Sequence, residues 1–448
     1  MKRRSFLGLA GLGPLATKGF NRDRSSPGLE KTQAAVSETV SIKEYRMLGR
    51  TGFKASDIAV GVTYTGPLLK AVLDAGVNYI DTSEEYGRGF CEKVVGDAIA
   101  GRDRKSLFIT TKLGLRNPIT REVPGAGTTK TDVLGRVYKS LERLKTDYID
   151  CLMIPNAENV NILKSEDFHS AAAQLKAEGR VRFVGVSHHG SQWEGGKPEQ
   201  SMETILTAAA EDGRFDVVLL AYNFLKQDMG EKVLEVCRKK NIGTTLMKTN
   251  PVREYFAARK TAEFQEKSGR ELSQTVRQRL EALEEKYKQA TDFMKAYGLS
   301  GPAEIRAAAI RFCLSNPSVN TVCYSFQNFN DVRDIISLSG GRLSSTDKDK
   351  LAAYARECGS LYCRHACGFC EPGCPLGVPI NTIMRYHHYF EAQGRQKYAM
   401  EKYAALPGPR ADLCLGCEGE CQPACPHNIP IHGLLIVAHQ NLAWNNQY

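Results

Sequence analysis

Between residues 58 and 336, short runs of β-branched and apolar residues alternate with segments whose apolar positions recur at helical spacing. The strand-like runs fall at 58–62, 78–81, 107–112, 148–154, 181–186, 216–221, 242–247 and 320–323. Helical periods lie between them, for example at 132–144, 168–177, 201–210 and 230–239. Eight strands, each followed by a helix, predict an α/β chain folded as a parallel (β/α)8 TIM barrel. Runs such as Val217-Val218-Leu219-Leu220 lack polar alternation, as expected of strands covered on both faces. One segment breaks the repeat. Residues 254–296 are Lys/Glu-rich and helical in period, and they sit between strand seven and the helix before strand eight. This insertion reads as a lid or interaction arm, or else as a solvated helical hairpin with no direct role.

Composition narrows the class. A chain of 448 residues, 42% hydrophobic and 25% charged, is globular, which excludes disorder throughout and a polytopic membrane protein. Its length suits one large domain and a smaller one. The net charge of +10 fits an acidic cofactor. No basic run interleaved with aromatics is present, so nucleic acid is not an expected partner. The chain opens Met1-Lys2-Arg3-Arg4-Ser5-Phe6-Leu7-Gly8, then an apolar stretch to residue 16 and a polar segment to residue 40. That stretch is too short and Gly-rich to span a bilayer. The leader resembles a twin-arginine translocation signal, which implies export of the folded protein to the periplasm or cell envelope. The alternative is a basic tail on a cytoplasmic protein.

Chemistry in a parallel barrel gathers at the C-terminal ends of its strands. Strand two ends in Asp81 and continues Thr82-Ser83-Glu84-Glu85-Tyr86-Gly87; strand three ends in Lys112. Reduction of a carbonyl by hydride transfer needs a proton donor for the developing alkoxide. A tyrosine serves when a nearby cation brings its pKa of ~10 down. Tyr86 is then the general acid, Lys112 its tuner and Asp81 the residue that orients Lys112. With Leu48-Gly49-Arg50-Thr51-Gly52 before strand one, and Gly76-Val77-Asn78-Tyr79-Ile80-Asp81-Thr82 running into Tyr86-Gly87, residues 45–345 resemble the aldo/keto reductase family. The resemblance implies NADP or NAD as cofactor and a small carbonyl or alcohol as substrate.

The chain departs from the family at several of its usual positions. Pro155 stands where the resemblance expects a histidine after strand four, and Asn156, one residue on, is the candidate replacement donor. Ser187-His188 replaces the usual Ser-Asn after strand five, Leu219 replaces a glutamine, and Met247 replaces the aromatic that stacks on nicotinamide. By position Ser187, His188, Met247, Lys248, Ser325 and Asn328 are the cofactor candidates, although the usual basic residue near Ser325 is missing. The pair His188-His189 also reads as ordinary polar loop residues.

The cysteines change the picture at the C-terminal end. Of 14, nine fall between Cys358 and Cys425. One run is Cys363, Cys367, Cys370 and Cys374, then Pro375; the other is Cys414, Cys417, Cys421 and Cys425, then Pro426. The two runs resemble helical ferredoxin-type modules found after this barrel in one branch of the family, which implies two [4Fe–4S] clusters in a helical domain over 350–448. In that resemblance Cys425 joins Cys363, Cys367 and Cys370, and Cys374 joins the other three. Zinc held by the Cys-x2-Cys pairs and structural disulfides are the alternatives. The expectation from sequence is therefore a reductase barrel coupled through iron–sulfur clusters to a redox protein partner. The rival expectation is an electron-transfer or binding protein whose barrel has lost nucleotide-dependent catalysis.

Overall fold

The computed structural model describes residues 40–443 apart from 116–127, 158, 190–199, 253–270, 298–302 and 366. The twin-arginine leader and the first part of the 254–296 insertion therefore lie outside the described residues.

A two-strand antiparallel hairpin, β1 (Tyr45–Met47) and β2 (Lys54–Ser56), precedes the barrel. Its turn seats against the start of a barrel strand: a Cβ on Gly49, at φ +48°, would lie 2.2 Å from the Gly243 nitrogen. Only glycine fits there. Arg50 fastens the turn through Asp216 Oδ1 at 2.8 Å and the carbonyls of Gly213 and Phe215. The hairpin was not expected from the sequence pattern, because two three-residue strands carry too little periodicity.

Eight parallel strands follow: β3 (Ile58–Val60), β4 (Tyr79–Asp81), β5 (Phe108–Lys112), β6 (Ile149–Ile154), β7 (Val181–His188), β8 (Val217–Ala221), β9 (Gly243–Met247) and β10 (Thr321–Tyr324). They pair in chain order, and β10 closes on β3. Every strand matches an expected run to within a few residues. Aromatic rings fill the N-terminal end of the barrel: Phe108 stacks on Tyr79 at 5.2 Å and meets Phe53 at 5.3 Å. That apolar plug leaves the opposite, C-terminal mouth as the place for polar side chains.

The barrel helices are α1 (Gly66–Asp74), α2 (Phe90–Ile99), α3 (Lys130–Leu144), α4 (Glu166–Ala177), α5 (Met202–Asp212) and α6 (Asp228–Lys239). After the insertion helix α7 (Gln274–Ala296) come α8 (Ala303–Ser315) and α9 (Phe329–Ile336). Polar N-caps start several of them, with a full capping box at Thr129/Asp132 for α3. The C-terminal region adds α10 (Ser345–Cys358), α11 (Ile380–Ala392), α12 (Gln396–Ala404) and α13 (Ile431–Leu442).

These last helices are not a separate body. The described residues from Val40 onward form one compact unit. The buried positions of α7 (Val276, Leu280, Leu283, Tyr287, Ala290 and Phe293) recur every three or four residues. Together with Ile383, Leu434 and Leu435 they make a second hydrophobic core, which also takes in Phe224 and Val252 from the barrel mouth. Gly433 permits the close approach, since a Cβ there would stand 3.3 Å from Leu283. Helix α7 is thus a bracket between barrel and C-terminal helices, and among the described residues no distinct iron–sulfur domain stands apart. Among the described residues no helix is long and apolar enough to cross a membrane.

Candidate active site

Asp81 is the last residue of β4 and Lys112 the last of β5, so adjacent parallel strands deliver them to the same rim. Lys112 Nζ donates to Asp81 Oδ1 and, at 3.1 Å, to the Thr82 carbonyl; both side chains are buried. Such a pair desolvates two charges, a cost that only close geometry and extra hydrogen bonds offset. A turn then carries Tyr86 over the pair. The Tyr86 amide donates to the Ser83 carbonyl at 3.1 Å, and its own carbonyl accepts from Cys91 at 3.2 Å. Lys112 Nζ lies 5.1 Å from the centre of the Tyr86 ring.

Asp81 and Tyr86 open into a cavity of about 370 Å³. Its barrel wall includes Gly61, His189, Met247, Lys248, Ser325 and Asn328. Its opposite wall is the end of α11 and the turn into α12, from Tyr389 to Gln396. The C-terminal helices therefore roof the barrel mouth.

Burial pushes the Tyr86 phenol well above its ordinary value, and the Asp81 carboxylate adds to the rise; Arg395 opposes both. Burial also raises Asp81, against the attraction of Lys112. Arg395, which lowers the phenol, comes from the C-terminal helices.

The remaining candidates divide. Met247, Lys248, Ser325 and Asn328 line the cavity, whereas Asn156, Ser187 and His188 are buried and do not line it. Asn156 adopts φ +44°. Its amide donates to Ser187 Oγ at 3.1 Å, and its Oδ1 accepts from the His189 amide at 3.2 Å. Its Nδ2 has no hydrogen-bond partner among the described residues. Burial, then Lys226, Lys248 and Arg385, drive His188 down to about 3, so its ring is neutral. His189 reaches the cavity instead. Asn328 caps α9 by accepting from the Asp331 amide at 3.0 Å. A basic residue from α8 does line the cavity: Arg306, 3.8 Å from Asp331. No local motif marks Arg306 or Arg395, and both were missed by the sequence reading.

The cysteine-rich tail requires a correction. Cys363, Cys367, Cys370, Cys374, Cys414, Cys417, Cys421 and Cys425 are all free thiols. They do gather: Cys367 and Cys425 act on Cys363, and Cys421, Cys374 and Cys417 act on Cys414. Yet among the described residues no group of three or more His, Cys, Asp or Glu side chains is placed to hold a metal ion. Burial first, and neighbouring sulfurs second, push Cys363 and Cys421 up to about 12. The lack of a metal-holding group among the described residues overturns the expected pair of [4Fe–4S] clusters and the iron–sulfur branch of the family. The electron transfer and redox partner attached to those clusters lose their support with them.

An eight-stranded parallel barrel with a buried Asp–Lys pair and a cavity-lining tyrosine at its C-terminal mouth defines a class of barrel oxidoreductase. Residues 48–355 match the model of the aldo/keto reductase family. The chain belongs to that family. Among curated proteins it is 33% identical over 149 residues to the uncharacterized oxidoreductase YqkF of Bacillus subtilis, covering 32% of this chain and 48% of that protein. It is 30% identical over 160 residues to L-galactose dehydrogenase of Arabidopsis thaliana, covering 32% and 48%. The matched stretches thus span about half the length of these relatives. Among solved structures, an aldo-keto reductase from Bacillus halodurans aligns at 19% identity over 69% of this chain and 95% of its own, with a TM-score of 0.48.

Proposed function

We propose that this chain is an oxidoreductase that interconverts a small carbonyl compound and its alcohol with a nicotinamide nucleotide. The observation that carries the proposal is Tyr86 held at a cavity wall above the buried Asp81–Lys112 pair. The cavity's donor set fits the nucleotide: Arg306 is a cation, Ser325 offers a hydroxyl, and Lys248 offers an amine whose charged form burial and Arg385 disfavour. Gly61 leaves room beside them that a Cβ would fill, 3.1 Å from Ser325 Oγ. A bound nicotinamide nucleotide supplies or accepts the hydride. Tyr86 Oη holds the proton that the substrate oxygen gains on reduction and returns on oxidation. Lys112 and Asp81 hold the rim that aims the phenol, and Tyr389 with its neighbours excludes water from above.

The test is Tyr86→Phe. Reduction should fall by ~10²–10⁴-fold, the usual cost of losing a general acid. Nucleotide affinity, followed by fluorescence titration, should stay within a few-fold of wild type. Unchanged turnover on a substrate that the wild type reduces would remove Tyr86 from the chemistry. Failure of the wild type to bind either NADPH or NADH would favour a barrel that has lost nucleotide-dependent catalysis.

A further inference from the structure

The cavity wall contributed by the C-terminal helices carries a cation that has no counter-charge among the described residues. Arg395 follows Gly394, whose φ of +61° turns the chain between α11 and α12. The Arg395 amide donates to the Tyr389 carbonyl at 3.0 Å, which fixes the turn. Its guanidinium carbon lies 4.1 Å from the centre of the Tyr398 ring and 5.3 Å from that of Tyr389.

An arginine stacked between tyrosines is often structural. Two observations argue for more here. Its Nε and Nη2 are buried and have no hydrogen-bond partner among the described residues, whereas a structural guanidinium ordinarily satisfies its buried donors. It also lines the cavity that holds Tyr86 and Asp81. The carboxylates around that cavity are engaged elsewhere: Asp81 with Lys112, Asp331 with Arg306, and Glu391 with His387 at 3.0 Å. Among the described residues no carboxylate lies within ion-pair distance of Arg395. A planar, permanently charged fork with unused donors suits a carboxylate, which it can grip with two parallel hydrogen bonds.

We infer that Arg395 is the anchor for an anionic substrate group, and that the cavity takes carbonyl compounds bearing a carboxylate. The carbonyl half rests on the reductase reading above; the anion site itself does not. The arrangement also explains why a helical extension roofs this barrel. The barrel's own rim supplies the phenol, and the extension supplies the charge that selects what meets it.

The experiment is calorimetric binding of para-carboxybenzaldehyde and of benzaldehyde to the full-length chain without nucleotide. Wild type should bind the acid at least tenfold more tightly, the size of effect typical of a charge-assisted hydrogen bond in a desolvated site. Arg395→Gln should abolish that preference, and Arg395→Lys should keep part of it. Equal affinity for the two aldehydes in wild type, or a preference that survives in folded Arg395→Gln, overturns the inference. Should Arg395→Gln fail to fold, modification of wild type by phenylglyoxal decides. Arg395 must then be protected by the acid and not by benzaldehyde, and protection by neither overturns the inference. A wild type that prefers the acid but neither binds nucleotide nor reduces either aldehyde would overturn the reductase reading and leave the anion site standing.

Discussion

At the scale of single residues, the site's electrostatics determine how the reaction should respond to pH. The Tyr86 phenol is raised well above its ordinary value, chiefly by burial and then by Asp81. A proton donor is active below its pKa, so Tyr86 stays protonated through the neutral range. Reduction should therefore show no alkaline decline from this group below about pH 10. Alcohol oxidation requires the phenolate and should climb steadily with pH over the same range. Because Arg395 opposes the rise, Arg395→Gln should push the oxidation profile to still higher pH, which steady-state rates in both directions would read. A bell with an acid limb near neutrality in wild type would point to a histidine instead. Asp81, Tyr86 and Lys112 were legible because each follows or ends a strand in a recognisable run. Arg395 was not, since its role depends on which cavity a distant turn happens to cover.

At the scale of elements, α8 and α10 illustrate how the barrel is tied to its extension. The capping box Ser344/Asp347 starts α10, and Arg311 of α8 grips the same Asp347 carboxylate at 2.8 and 2.7 Å. The Arg311 hydrogen bond leads in bringing Asp347 from 3.8 to about 2. A carboxyl whose folded pKa is depressed stabilises the fold above its unfolded pKa and loses that contribution as pH falls through the folded one. Asp347→Asn should thus cost about 1–2 kcal/mol at neutral pH, the range of a lost cap and charged hydrogen bond. The gap between variant and wild type should close between about pH 4 and pH 2, as urea titrations at several pH values would show. A gap independent of pH would mean that the carboxylate charge contributes nothing. Strand and helix positions were readable from periodicity alone, since eight buried strands impose the same alternation eight times. The hairpin of β1 and β2 escaped for lack of length.

At the scale of the whole molecule, two cores share one compact unit, and Phe312 of α8 packs against both. The second core exists only when α7 meets the C-terminal helices, so its damage should reach the active site. Leu435 of α13 is 1% exposed within that core. Leu435→Ala should cost about 2–5 kcal/mol, the range for buried leucine truncations. It should also weaken the preference for the carboxylated aldehyde, because the turn bearing Arg395 rests on the same helices. Loss of stability with that preference intact would show that the roof is held independently of the second core.

The amino-acid sequence by itself determined the barrel, its strand order and the Asp81, Tyr86 and Lys112 constellation. Those features follow from local period and from strand ends, which contiguous residues encode. Tertiary structure decided the rest. Helix α7 became a bracket because its apolar stripe found helices remote from it in the chain. The cysteine runs, whose spacing resembled cluster ligands, form no group arranged to hold a metal among the described residues. His189 rather than Asn156 reached the cavity because the loop after β6 folds back onto β7. Spacing along a chain states which side chains could meet. Only the packing of remote segments sets which of them do, and in what dielectric surroundings they act.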